Sequence, residues 1–437
     1  MKEVLLNYDY IEPLLFSIGV VQILRNRLGA VFVIILFLFE AKFFTGDTQS
    51  SFMFPHNYFD VGLLLFIGTM IRLALRKTDL DLLPTKWIRW GVIFFYVFLL
   101  VVISVDMIYN EVAPIATLKY FRNWSVLTLV FFVNRIRKPE IDSFLRYYLI
   151  ISVSFAFVFI FEYLFDLYIT GAQIHRGYRA SVLSWTIIMV LLLLLMNYYH
   201  IGSLTKWCCV IIILVELILS ASRSGFIAYV IAGGGALLFA SSTSLLRKIL
   251  LFSMLAMGLI VLFASNNEIS KRFDDASQDM ESVNTQKGVV VGNFSFRWLL
   301  MAERAIYISQ EPQRIVFGIG TIQEKDFPTI FSIGYYDKER HRPNQIDTGD
   351  NAWAPLMMRL GFVGTGVYIC AIFIPFIVLC YNKRKEVYSF CLLIYILVSL
   401  VIISFTYNEI TSSGFWFMPM ILLLTTLPKS HYYNQRV

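Results

Sequence analysis

The stretch WCCVIIILVELILSASRSGFIAYVIAGGGALLFA, residues 207–240, decides how this chain folds. Two apolar runs, 207–219 and 226–240, flank the string SASRSG at 220–225, and the only charge within them is Glu216. With its neighbours, each run approaches the roughly 20 residues that an α-helix needs to cross hydrocarbon. Arg223 sits at their junction. A guanidinium keeps its proton and is costly in lipid. Arg223 is therefore expected at an aqueous cavity or an anion, unless it snorkels to headgroups. A charge at such a place is a candidate functional group by default.

The rest of the chain has the same character. Of its 437 residues 58% are hydrophobic, 16% are aromatic and 15% are charged, with a mean hydropathy of +0.67. A soluble domain would carry roughly 25% charged residues. The composition indicates an all-α integral membrane protein, a single polytopic unit over 1–437. Apolar spans fall near 29–45, 59–75, 90–108, 122–134, 146–168, 180–198, 207–222, 224–241, 249–265, 355–380, 388–406 and 414–428, with a weaker one at 10–24. That predicts 12 or 13 transmembrane helices. Asp9 and Glu12 break the early apolar stretch, so no cleavable signal is expected. The five cysteines, two of them adjacent at Cys208 and Cys209, form no metal-binding or disulfide pattern.

Short basic connections alternate along the chain. Arg25/Arg27, Arg76/Lys77, Arg135/Arg137/Lys138, Lys206, Arg247/Lys248 and Lys383/Arg384/Lys385 fall on one side. By the positive-inside rule that side is cytoplasmic. These loops explain most of the net charge of +7, and nucleic-acid binding is not expected. Residues 266–350 then form one large periplasmic loop, partly helical and part of the expected site. Within it FSFRWLLMAERAIYISQ, 294–310, repeats apolar residues at three- and four-residue steps and predicts an amphipathic helix packed on the bundle. Residues 331–350 look like polar loop.

Basic residues also gather on the outer side: Arg176, Arg179, Arg223, Arg297 and Arg304. Arg297 and Arg304 lie seven apart, so they project from one helix face. Arginine's planar fork suits phosphate oxygens, and several at one membrane face suit a pyrophosphate whose lipid tail lies in the bilayer. Arg314 and Arg342 read better as solvated surface. In TGDNAW, 348–353, Asp350 could deprotonate a hydroxyl if burial raised its pKa, or it could simply cap a helix. His341 lies nearby in KERHRPNQ. The chain lacks a Walker A string, so ATP is not expected to drive the reaction, and no metal or other cofactor is predicted.

Three strings in order, SASRSGF, FRWLLMAERAIYISQEPQRIVFGIG and DNAWAPLMMRLGFVGTGVYI, resemble the O-antigen polymerase/ligase superfamily (Wzy/WaaL) over about 200–380. The resemblance implies that Arg223 and Arg297 bind a lipid pyrophosphate. Many members carry His-Asn before a helix with a Gly-x-x-Gly turn. Here Asp350-Asn351 stands in that place, followed by Gly361 and Gly364. The base role is thereby left open between Asp350 and His341.

The resemblance further implies a metal-independent, inverting glycosyltransferase at the periplasmic face of the inner membrane. It would polymerise oligosaccharide repeats carried on undecaprenyl pyrophosphate into O-antigen or a related polysaccharide, with undecaprenyl pyrophosphate as leaving group. The lipid bilayer and a chain-length regulator protein are the other expected partners. The closest alternative is a ligase that transfers the glycan to lipid A-core. A flippase would more commonly show inverted repeats, and none is evident.

Overall fold

The architecture comes from a computed structural model of the chain. It describes residues 11–40, 58–76, 86–109, 111–112, 114, 117, 121–165, 174–175, 178–179, 186–196, 198–199, 201–219, 228, 230–235, 293–333, 335–337, 342–346 and 351–423. Those residues form an α-helical membrane protein. Helices α1 (Ile11–Leu24), α2 (Leu28–Glu40), α3 (Tyr58–Ala74) and α4 (Lys86–Tyr109) come first. Then follow α5 (Lys138–Phe165), α6 (Ile187–Leu195) and α7 (Ser203–Leu219). The outer loop contributes α8 (Asn293–Ser309) and α9 (Pro312–Phe317). Finally come α10 (Trp353–Tyr368), α11 (Ile374–Asn382), α12 (Val387–Val401) and α13 (Ser413–Leu422).

Among the described residues four helical stretches are long and apolar enough to cross a membrane: Lys86–Ile108, Lys138–Phe165, Trp353–Asn382 and Val387–Phe405. Three shorter apolar helices, Pro13–Leu24, Leu28–Phe39 and Ser413–Leu422, accompany them. The weak candidate at 10–24 is thus a helix. The span expected at 249–265 lies outside the described residues.

Burial separates the helices into two kinds. In α2, Val31 to Phe39 are all buried, and so is every residue of α6. A helix that is apolar all round belongs in the interior. By contrast α4 exposes Phe94, Val97, Leu100 and Val101, a face suited to hydrocarbon. Around Trp416 the core is aromatic: its ring sits 4.8 Å from Phe373 and 5.0 Å from Phe415, and its Nε1 donates to the carbonyl of Ile410 at 3.0 Å.

The predicted span 122–134 is not an α-helix. Arg122–Phe131 is a 3-10 helix, held where the Tyr96 hydroxyl donates to the carbonyl of Trp124 at 2.8 Å and the Ser413 hydroxyl to that of Asn123 at 2.6 Å. A 3-10 helix rises about 2.0 Å per residue against about 1.5 Å for an α-helix. Ten residues of it reach about a third further, which suits a run this short. Between α10 and α11, Ile369–Phe373 forms a π turn. There α4 comes close: a Cβ built on Gly91 would lie 1.9 Å from the carbonyl oxygen of Ala371.

Two antiparallel hairpins occur, β1 (Ile174–His175) with β2 (Tyr178–Arg179) and β3 (Tyr335–Asp337) with β4 (Arg342–Asn344). The second corrects the expectation of loop over 331–350. Strands this short show no usable alternation in the sequence.

Polar ties mark the two ends of the bundle. At one, Arg76 reaches both carboxylate oxygens of Glu140, at 2.8 and 2.6 Å, and Oδ1 of Asn26 at 2.6 Å, while Nη1 of Arg135 donates to the carbonyls of Leu73 and Ala74. Three of the basic connections assigned to one side, those around Asn26, Arg76 and Arg135, therefore do meet. At the far end of α3, Asp60 pairs with Arg122, whose guanidinium also lies 5.0 Å from the Phe59 ring centroid. Asp106, near the far end of α4, holds Thr321 of the large loop. The loop thus sits at the end opposite the Arg76–Glu140 network.

Candidate active site at the start of α10

The loop is locked to the bundle by glycines. Gly318 and Gly361 both have positive φ, 68° and 69°, and approach each other back to back: a Cβ on either would come within 2.7 Å of the other's amide nitrogen. Gly361 breaks the helical path inside α10, and the Ile319 amide donates to the Met358 carbonyl at 2.7 Å. Asp106 Oδ2 accepts from both the amide and the hydroxyl of Thr321, each at 2.8 Å. Buried Arg359 donates to the carbonyls of Gly320 and Ile322 at 3.0 and 2.6 Å. Neither Arg359 nor Asp106 stands in a motif that marks it as a partner of the loop. Their signal was the Gly318-x-Gly320 spacing, which needs partners for the backbone it exposes.

Above this latch Arg304 forms the hub of the loop. It is fully buried, at 0% exposure. Its Nε donates to the carbonyl of Gln345 at 3.1 Å, and Nη1 reaches Glu303 Oε2 at 3.0 Å and the carbonyl of Leu300 at 3.4 Å. The guanidinium stacks 4.3 Å from the ring centroid of Phe331. Burial pushes its pKa down to about 10, against the raising pull of Glu303 and Glu324, so it stays cationic at neutral pH. Nη2 has no partner among the described residues.

Both neighbouring carboxylates are already engaged. Glu324 accepts from the amides of Gln345 and Ile346 at 2.8 and 2.9 Å. Glu303 accepts from the amide and hydroxyl of Ser332 and the amide of Ile333 as well as from Arg304.

The start of α10 follows in the chain. Asn351 caps it: Oδ1 accepts from the Ala354 amide at 2.8 Å. The cap considered for Asp350 is therefore supplied by its neighbour. The Ala352 amide donates to the carbonyl of Ser404 at 2.7 Å, and Trp353 Nε1 to the Ser404 hydroxyl at 3.0 Å. Ser404 belongs to the corner after α12 that also carries Tyr407, and the Arg297 guanidinium lies 5.9 Å from the Tyr407 ring centroid. The structure thus brings Arg297 to the corner that holds the start of α10, with Arg304 two turns further along α8.

The faces of α8 differ from the expectation of an apolar packing face. Arg304 turns inward with Leu300 and Ile308, while Trp298, Leu299 and Ile306 are exposed. Arg314, read as solvated surface, pairs with Glu311 at 2.8 Å and lies 4.2 Å from the Tyr307 ring centroid. Arg179 stands in β2. Arg223, Arg176, His341 and Asp350 lie outside the described residues. Two further buried carboxylates, Glu162 near the end of α5 and Glu216 near the end of α7, face the bundle interior.

The described residues define a helical membrane protein whose large loop is fastened to one end of its bundle. Residues 208–369 match the family model described as O-antigen ligase. No curated protein and no solved structure matches the chain. The match supports a glycosyl-transfer type of enzyme in a bacterial membrane, with a role in assembling O-antigen or a related surface polysaccharide from lipid-linked oligosaccharides.

Proposed function

We propose that this chain is a Wzy-type polymerase. It joins oligosaccharide repeats carried on undecaprenyl pyrophosphate, at the periplasmic face of the inner membrane. The observation that carries the reading is Arg297, inside the matched segment, whose guanidinium lies 5.9 Å from the Tyr407 ring on the corner that holds the start of α10. A hydroxyl of the acceptor repeat attacks the anomeric carbon of the donor glycan. The bond from that carbon to the pyrophosphate oxygen breaks, with inversion, and undecaprenyl pyrophosphate leaves. The hydroxyl proton passes to Asp350 or, in its place, His341. Arg223 and Arg297 neutralise charge on the leaving pyrophosphate, where fixed donors in a water-poor site act most strongly. Arg176 and Arg179 extend the cationic rim, and no metal takes part. A chain-length regulator protein is the proposed partner in the membrane.

Ligase activity is the second reading, favoured by the description of the family model that matches. The lipopolysaccharide gel of a deletion strain separates the two. A core bearing a single repeat identifies a polymerase. Bare core with lipid-linked polymer identifies a ligase and overturns the polymerase reading.

A further inference from the structure

We propose that the end of the bundle opposite the large loop carries a binding site for a phospholipid with an anionic headgroup, built around Asn26. The proposal does not depend on the reaction described above. Three connections meet at this place. Asn26, in the turn between α1 and α2, accepts from Nη2 of Arg76 at 2.6 Å and from Nε of Arg72 at 3.4 Å. Arg76 spans both oxygens of Glu140, at 2.8 and 2.6 Å, and donates to the carbonyl of Arg135 at 2.9 Å. The Arg137 amide donates to Glu140 as well. Glu140 is thus spent on Arg76 and the chain beside it. Arg25 and Arg27 flank Asn26 and are exposed, and Arg72 is half-buried. None of these three pairs with a carboxylate among the described residues.

Three guanidinia gathered at one turn call for anions, and a phosphodiester offers the paired oxygens that arginine's planar fork binds best. Apolar surface for the rest of such a ligand adjoins them. Helices α1 and α3 lie side by side: a Cβ built on Gly19 would come 2.7 Å from Leu65, and one on Gly68 would come 3.3 Å from Ile23. Ile18, Val21 and Leu24 form an exposed stripe on α1, at the three-residue steps that keep side chains on one face. Ile67, Ile71 and Leu75 form another along α3 and just past its end. Both stripes finish at the arginines. Leu24, 74% exposed, precedes Arg25, and Leu75, 72% exposed, precedes Arg76. Headgroup and acyl chains thus find adjoining surfaces, the arrangement by which basic pockets between spans hold anionic lipids. A zwitterionic headgroup fits worse. Its ammonium would meet guanidinia, and the carboxylate of Glu140 is already taken.

The test titrates the full chain in detergent with dioleoyl phosphatidylglycerol, dioleoyl phosphatidylethanolamine and soluble glycerol phosphate. Bound ligand is counted by native mass spectrometry, beside the thermal unfolding midpoint. The glycerol lipid should bind about tenfold tighter than the ethanolamine lipid, and glycerol phosphate should not bind detectably. An arginine beside an anionic lipid contributes about fivefold. Arg72→Gln should therefore weaken binding about fivefold, and Arg25→Gln combined with Arg27→Gln about twenty-fivefold. The midpoint of the double variant should not change, because both side chains are exposed. As a control, Arg384→Gln combined with Lys385→Gln removes two charges from another basic connection and should keep affinity within about twofold. Equal affinity for the two lipids overturns the proposal, as does wild-type affinity in the Arg25 and Arg27 double variant. An equal loss in the control assigns the effect to bulk charge and overturns it too. Tight binding of glycerol phosphate makes this a site for free anions and overturns the lipid assignment.

Discussion

Two polar clusters at the end of the bundle that carries the large loop are equally buried and differently used. Around Thr321, Asp106 accepts from an amide and a hydroxyl, and Arg359 spans two carbonyls. These bonds run between the loop and the spans α4 and α10, so they close the structure. Arg304 in α8 and Asn351 at the start of α10 are held as firmly, yet each keeps one donor unspent. The difference teaches that burial of a charge in a membrane protein does not by itself mark a site. A buried group whose donors and acceptors are all spent between two elements is a fastening; one that keeps a buried donor, as Arg304 and Asn351 do, still has a bond to offer.

The comparison breaks if the two clusters respond alike to mutation. The largest expected effect is Gly320→Ala. Its φ is +63°, and the new Cβ would lie 1.7 Å from Asp106 Oδ1. A buried carboxylate on a rigid helix cannot give way that far, so no folded protein should be recovered in detergent extracts. Normal yield and a monodisperse elution profile would refute the latch.

Next come Arg223→Ala and Arg297→Ala. Each should lower polymer formation at least a hundredfold, about 3 kcal/mol of transition-state stabilisation, in a protein that still inserts. Lysine should rescue poorly, because an ammonium lacks the bidentate fork. Polymer banding at the wild-type level, at native expression, would remove that arginine from the site. Asp350→Asn sharpens the same contrast. Asn351 supplies the cap, so the Asn variant should fold normally. As the loss of a general base it should cost about a hundredfold in rate. An active Asn variant beside an inactive His341→Ala would transfer the base to His341.

The sequence exposed the bundle more readily than the site. The spans around α4, α5 and α10 to α12 were legible because lipid demands long uninterrupted apolar runs, and few other structures produce them. The 3-10 helix at Arg122–Phe131 was not, since hydropathy reports burial and not helical pitch. In α8 the period was legible but the direction was not: the partners that draw Arg304 inward lie 41 residues away, at Gln345. The joining of Arg297 to the start of α10 runs through Ser404 and Tyr407, on a corner with no motif to announce it. Asn351 was visible only as a neighbour of Asp350. Its role as the cap depends on one bond, to Ala354, that no spacing rule separates from a cap by Asp350.

The smallest effect tests where the fastening ends and the site begins. Ser404 touches the start of α10 twice, by its carbonyl to the Ala352 amide and by its hydroxyl to Trp353 Nε1. Ser404→Ala keeps the first bond and removes the second, together with the bond the hydroxyl donates to the Leu400 carbonyl. The Trp353 ring remains packed 5.9 Å from Phe405, so the helix start should not shift. Losing these two hydroxyl bonds should cost about 1 kcal/mol, visible as a drop of about one degree in the unfolding midpoint. Affinity for undecaprenyl pyrophosphate should stay within about twofold of wild type, because the Tyr407 ring beside Arg297 is not moved. A larger loss of affinity would show that this corner sets the position of Arg297, and the separation between fastening and site would have to be redrawn to include it.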